Sequence, residues 1–415
     1  MWMGGDAELR STVSAEPVSY AELQSTARRL NATVLSYWVS GDATYVWAVT
    51  PVGAVHSSRI DISSKRLAEL VSGLWPRRPG SKRGQAPESG SQPDVVKGQV
   101  ATRGGSIIAP DKAGRRNWRE LYRLLIEPVE RWLPRIPGSL LTIEPHGPLT
   151  TLPFAALTDA RGRYLIERFT LHFVPAISLL RFTANKKRAR AVSPSYLLIA
   201  DPTGMPHGEG DRPLPALAGA RREVSTVARL LTGSQVSVLE GNRATERRVE
   251  ELAGHSSVIH FATHGIIRDE RPFDSFLALG GSGWDLAHDG HFTAQKIYRM
   301  DLHADLVFLS ACRSGLGQVS GDGVAGLTRA FLYAGTPSVI ATLWDVADEP
   351  TYRLVGTFYK SWVRGNDKAR ALRLAQLGLL QQLRRGQVKV HTTAGDLTLR
   401  EDPVFWASFV LQGEP

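Results

Sequence analysis

From residue 196 to residue 383 the chain alternates short apolar runs with amphipathic stretches, and this alternation restricts the fold more than any other feature. Tyr196–Ala200 reads as a strand and Ala218–Leu231 as a helix. Val236–Leu239 reads as a strand, and Thr245–Leu252 as a helix with Thr245 in the N-cap position. Val258–Ala262, Leu306–Ser310 and Val339–Thr342 read as further strands, and Phe276–Leu279 as a short β-like run. Val324–Ala334, Tyr352–Val363 and Lys368–Leu383 have helical periodicity. Strands apolar on both faces and separated by helices predict an α/β fold with a mostly parallel sheet flanked by helices. In such sheets the chemistry gathers beyond the carboxyl ends of the strands.

The first part of the chain is less regular. Ser19–Leu30 predicts a helix, Thr33–Trp38 and Thr44–Val49 two strands about a Ser-Gly-Asp turn, and Ser64–Leu74 another helix. Pro76–Gly105, rich in Pro, Gly, Ser, Lys and Arg, reads as a mobile basic linker. A long amphipathic helix is expected over Trp118–Trp132, with strands at Leu140–Ile143 and Thr170–Val174. The polar, basic stretch Asn185–Ser193 separates the halves and sets expected domains of 1–190 and 191–415.

Composition removes several classes. The apolar share of 42% and charged share of 22% suit an ordinary globular protein. One cysteine, Cys312, excludes an internal disulfide and a Cys-rich zinc finger or iron–sulfur site. No run of about 18 apolar residues is present, so no membrane span is expected. The start, Met-Trp-Met-Gly-Gly-Asp, lacks the pattern of a signal peptide, and a cytoplasmic location is expected. The net charge of +10 is uneven: 27 Lys/Arg stand against 16 Asp/Glu in residues 1–190, and 23 against 24 in 191–415.

Two motifs sit at strand ends. Val-Ile-His-Phe-Ala-Thr-His-Gly (258–265) places His264 and Gly265 where a buried strand runs out. Leu-Val-Phe-Leu-Ser-Ala-Cys-Arg-Ser-Gly (306–315) places Cys312 at the same point of another. Neighbouring strands lie about 4.8 Å apart, so the two side chains come within working distance if the strands adjoin. A thiol beside a histidine is a nucleophile in waiting, and the N–H groups of Gly265 and Cys312 suit an oxyanion hole. Inert core packing of Cys312 and a structural hydrogen bond to His264 stay open as alternatives.

Other chemistries fit less well. His260 and His264, four apart on a strand, are about 13 Å from each other, too far to share one ion, so no metal site is expected. Gly321-Asp-Gly323-Val-Ala-Gly326 matches a dinucleotide fingerprint, with Asp345 placed as a ribose-binding acid. The tight strand–glycine–helix turn that presents a pyrophosphate is missing, however, and no cofactor is expected. Basic residues of the first half (Arg77-Arg78, Lys82-Arg83, 186–190) have no interleaved aromatics and read as solvated surface, so nucleic acid is expected only indirectly, if at all.

The chain resembles the CHAT family of caspase- and separase-like cysteine peptidases. The resemblance rests on His-Phe-Ala-Thr-His-Gly at 260–265, Leu-Ser-Ala-Cys at 309–312, Gly321-Asp322-Gly323, Leu343-Trp344-Asp345-Val346 and the ending Pro403 to Gly413. Leu149 to Leu157, Leu214-Pro215 and Ala244-Thr245 add to it. It implies a caspase-like fold with an N-terminal degenerate or scaffold domain packed on the catalytic one. It implies a Cys–His dyad, which by position is Cys312 and His264, acting on a protein substrate. A separate sensor or regulatory protein in a bacterial defence or cell-death pathway is implied as the control, and a catalytically silent interaction module is the alternative. By the resemblance Asp322, Asp345 and Asp348 are candidates to line a pocket for a basic side chain, with loop hydrogen bonding and helix N-capping as the alternative, and Ser310 and Tyr352 stand where some relatives carry acids.

Overall fold

The computed structural model describes residues 18–74, 99–102, 105–108, 112–186, 194–208, 213–281, 285–311, 318–320, 323–392 and 395–415. Its centre is one eleven-stranded sheet. In chain order the strands are β1 (Thr33–Val39), β2 (Thr44–Val49), β3 (Val55–Ile60), β4 (Leu140–Glu144), β5 (Thr170–Phe173), β6 (Ser195–Pro202), β7 (Gln235–Gly241), β8 (Val258–Ala262), β9 (Leu306–Leu309), β10 (Ser338–Thr342) and β11 (Phe409–Gly413). Across the sheet they run β3-β2-β1-β4-β5-β11-β10-β9-β8-β6-β7.

Neighbours are parallel except at β3–β2, β2–β1 and β11–β10. Because β11 is antiparallel to β10 but parallel to β5, two parallel blocks run in opposite directions and meet at β11. The strands of the two halves of the chain thus lie in a single sheet, joined edge to edge. The β5–β11 seam is short, Gln412 opposite Phe173. Side chains reinforce it: Arg373 donates to the carbonyls of Ile166, Glu167 and Phe169 at 3.0–3.1 Å, and Arg29 grips the buried Glu414 through two bonds of 2.8 and 3.1 Å.

Helices cover both faces. One face carries α2 (Ser64–Ser72), α3 (Lys112–Leu125), α5 (Ala218–Leu230), α9 (Asp348–Val363) and α10 (Lys368–Arg384), all contributing to one apolar cluster. The other carries α6 (Glu246–Ala253), α7 (Ala294–Tyr298) and α8 (Leu327–Tyr333), while α1 (Tyr20–Leu30) and α4 (Leu179–Lys186) close a smaller cluster there. Local signals set these helices. A capping box between Ser19 and Glu22 starts α1, and Asn31 at φ 47° ends it. Thr245 accepts the Arg248 N–H at the start of α6, as its sequence predicts. Asp367 does the same for Arg370 at α10, at 2.7 Å.

Four expectations change. The helix expected to Trp132 stops at Leu125, and Glu127–Trp132 continues as a 3-10 turn, because Pro128 lacks the N–H an α-helix needs. The helix expected from Val324 starts at Leu327: Gly323–Ala325 pairs with Gln318–Ser320, and Gly326 at φ 153°, a conformation that suits glycine, leads from that ribbon into the helix. Strand β3 was not expected, its sequence Val-His-Ser-Ser-Arg-Ile having no clear apolar alternation. Within the predicted linker, Gln99–Thr102 pairs with Gly105–Ile108 as a hairpin, and the remainder from residue 76 lies outside the described residues. Among the described residues no helix is long and apolar enough to cross a membrane.

Candidate active site

The site is built on β8 and β9. Every residue of both strands is buried, as expected of parallel strands covered on two sides. Ile259 and Phe261 pack toward α6, α7 and α8, and Val258 and Ala262 toward the opposite helices. His260 shares the latter side. Its Nε2 lies 2.8 Å from Glu223 Oε1 and its Nδ1 3.1 Å from the Tyr359 hydroxyl, and its ring stacks on Phe308. His260 and both its polar partners are fully enclosed, so His260 ties β8 to α5 and α9 rather than facing the strand end.

At the end of β8 the backbone is clamped. Thr263 Oγ1 donates to the Ala278 carbonyl at 2.6 Å, and the His264 carbonyl accepts the Ala278 N–H at 2.9 Å. Gly265 then pairs with Leu277 in a small antiparallel ribbon formed with Phe276–Ala278 and His291–Thr293. The His264–Ala278 bond makes Gly265–Leu277 a non-hydrogen-bonded pair, which turns the Gly265 N–H away from that ladder. Ile266, Phe276 and Ala278 form a small apolar cluster here with Met205 and Leu214.

His264 is 4% exposed, and its Nε2 is 2.8 Å from the Pro215 carbonyl. A carbonyl only accepts, so Nε2 carries the hydrogen and Nδ1 is the basic nitrogen of the neutral ring. This backbone partner was not found from the sequence, which offers no side-chain signal for a carbonyl. In the sequence Leu214-Pro215 is a motif of the family resemblance and carries no sign of this contact.

Strand β9 pairs with β8 in parallel, from Val258 opposite Leu306 to Phe261 opposite Leu309. The Ser310 N–H extends the ladder to the Phe261 carbonyl at 2.8 Å. Ala311 is fully buried, and its carbonyl accepts from Thr342 Oγ1 at the end of β10. Cys312 and Asp322 lie outside the described residues.

The other two acids are described. Strands β8, β9 and β10 are parallel, so Asp345, just past β10, belongs to the same sheet edge as His264. It is 3% exposed, and the chain just before it is tied down: the Leu343 N–H donates to the Ser408 carbonyl and Trp344 Nε1 to the Val404 carbonyl, each at 2.9 Å. Asp348 opens α9, and its carboxylate rests directly on Gly219 in the first turn of α5, where the helix dipole favours negative charge. A separate small cleft lies where the halves of the chain meet, lined by Pro145, Thr150, Phe173, Leu343, Val410 and Gln412 among others.

Sheet, helices and strand-end histidine together define a protein of the caspase-like α/β class. A sequence profile of the CHAT domain matches residues 115–414, and the chain belongs to the CHAT domain family. Tetratricopeptide repeat protein 28 of Mus musculus is 30% identical over 294 residues, covering 60% of this chain and 12% of that protein. The Homo sapiens protein of the same name is 31% identical over 301 residues, with coverages of 61% and 12%. The chain thus spans about an eighth of the length of these curated relatives. Among solved structures, separase in the Saccharomyces cerevisiae separase–securin complex superposes with a TM-score of 0.55 at 12% identity, covering 95% of this chain and 31% of that one. At that identity the likeness is one of fold.

Proposed function

We propose that this chain is a cysteine endopeptidase that cleaves a protein partner through a Cys312–His264 dyad. The observation that carries the reading is the Pro215 carbonyl on His264 Nε2, which leaves Nδ1 as a base at the end of β8. The sequence separation between paired residues of β8 and β9 is also the separation between His264 and Cys312. His264 takes the thiol proton, and the thiolate sulfur forms a bond to the scissile carbonyl carbon. The N–H groups of Gly265 and Cys312 hold the oxyanion. Protonated His264 gives its proton to the leaving amine as the C–N bond breaks, and water then hydrolyses the thioester to restore the thiol. In this reading Asp322, Asp345 and Asp348 favour an arginine or lysine before the cut. Control comes from a separate sensor or regulatory protein, in a cytoplasmic bacterial defence or cell-death pathway.

The test is cleavage of candidate protein substrates by the wild type, Cys312→Ala and His264→Ala, with an electrophilic peptide ketone as probe. Each substitution is expected to lower cleavage by roughly 10⁴-fold or more, and the probe to label Cys312. Unchanged cleavage by Cys312→Ala, or labelling at another residue, overturns the reading. A folded wild type that binds partners but never cleaves or takes the label favours a silent interaction module. Relatives named for tetratricopeptide repeats, of which this chain matches a small share, are consistent with that second reading.

A further inference from the structure

We propose that Asp201 is a positioning residue for His264: it fixes the Pro215 carbonyl against the imidazole and thereby sets which ring nitrogen is basic. Its consequence for turnover rests on the peptidase reading, but the positioning itself does not.

Asp201 is where β6 breaks step. β6 and β7 pair regularly from Ser195 opposite Gln235 to Ala200 opposite Glu240, and pairing resumes with Pro202 opposite Gly241, so Asp201 is the inserted residue of a bulge. A bulge bends its strand and re-aims the side chain it carries. The backbone of Asp201 has φ 42°, one of two positive values among described non-glycine residues, the other being the helix-ending Asn31. The left-handed region is sparsely used by residues with a side chain, and such conformations concentrate at functional sites.

The re-aimed carboxylate is 2% exposed, and both its oxygens are engaged. Oδ1 accepts the Leu217 N–H at 2.5 Å, and Oδ2 accepts from Arg221 Nε at 2.6 Å. Arg221 also reaches Glu240 on β7, at 3.2 Å. Leu217 is the N-cap of α5 and supplies no side-chain cap, so Asp201 grips the helix start through the chain itself. Pro215 is two residues upstream in an exposed stretch without regular structure, and it has no N–H of its own to be held by. The carbonyl that meets His264 is therefore located by what anchors Leu217. Bulge, helix start and carbonyl act as one bracket that crosses from β6 to the end of β8.

The experiment uses the full chain and reads the His264 tautomer by imidazole ¹⁵N NMR, with His264→Gln to assign the signal. In the wild type neutral His264 is to be the Nε2–H form. Asp201→Gly removes the carboxylate while accepting φ 42° without strain, and is to give a mixture with the Nδ1–H form. Asp201→Asn, which keeps an oxygen for the Leu217 N–H, is to restore the wild-type form. If Asp201→Gly does not fold by circular dichroism, Asp201→Ser, whose hydroxyl falls short of the Leu217 N–H, takes its place. With a cleavable substrate, the glycine variant is to lose about 10- to 100-fold in kcat with KM within about twofold, since a misplacement of about 1 Å costs that much. A folded Asp201→Gly or Asp201→Ser protein with the wild-type tautomer overturns the proposal. A wild type that cleaves nothing defeats the peptidase reading alone, because the tautomer still decides the role of Asp201.

Discussion

His172 makes the stability of the sheet depend on pH in a calculable way. It lies in β5 opposite Thr142 of β4, and its Nε2 sits 2.9 Å from Thr142 Oγ1. The side chain is fully buried, and burial pushes its pKa from 6.5 down to about 4; the nearby Glu414 carboxylate opposes the shift and Arg29 adds to it. The folded state therefore keeps a neutral ring where the unfolded chain takes up a proton. This contribution is fully present above pH 6.5 and is lost as pH falls from there toward 4. Linkage gives a loss of about 2 kcal/mol at pH 5, rising to about 3 kcal/mol below pH 4. Urea unfolding of the wild type and His172→Phe, each at pH 7.5 and pH 5, measures it. The phenylalanine variant loses the Thr142 bond at both pH values, so that cost cancels. Its acid-induced loss is to be smaller than that of the wild type by about 2 kcal/mol. If the two losses agree within about 0.5 kcal/mol, His172 is not held neutral by burial, and the reasoning fails.

Two further substitutions test the framework around the site. Glu223→Ala leaves buried His260 without its Nε2 partner and is expected to cost about 1–3 kcal/mol, whereas Glu223→Gln keeps an acceptor and costs less; calorimetry that finds the alanine variant within about 0.5 kcal/mol of wild type contradicts the hydrogen bond. Gly219→Ala puts a methyl group into the Asp348 carboxylate, an overpacking expected to cost about 1–3 kcal/mol in urea unfolding, and adding Asp348→Ala is to recover part of it. Strict additivity of the two changes excludes the contact.

The strands under the candidate site were legible because burial on both faces leaves a plain trace: Val258–Ala262 appears in the structure with the limits its apolar run predicts. The alternation of strand and helix gave the layered class for the same reason. Three features left no such trace. β3 is an edge strand whose inward-facing His56 and Ser58 are polar like the exposed Ser57 and Arg59, so burial alternates along it but apolarity does not. β11 is a short run after Trp406, read as part of a motif and not as a strand, because nothing local says that it is inserted between β5 and β10. The orienting group on His264 is a main-chain oxygen, and every residue has one. Only the bulge at Asp201 and the capless start of α5 select Pro215, and both are properties of the folded backbone.

The place of β11 bears on how the sheet is assembled in time. It is the last of the eleven strands in sequence and sits in the interior of the row. As the chain leaves the ribosome, β5 and β10 each hold an unpaired ladder of N–H and C=O groups until Phe409–Gly413 emerges. Closing that gap demands contacts between residues far apart in sequence, such as Gln412 with Phe173, which slows folding. Open strand edges are also the surfaces on which nascent chains associate. A nascent chain stalled before Phe409 is thus two half-sheets with adhesive borders, and chaperone demand during synthesis should peak just before those last strand residues appear.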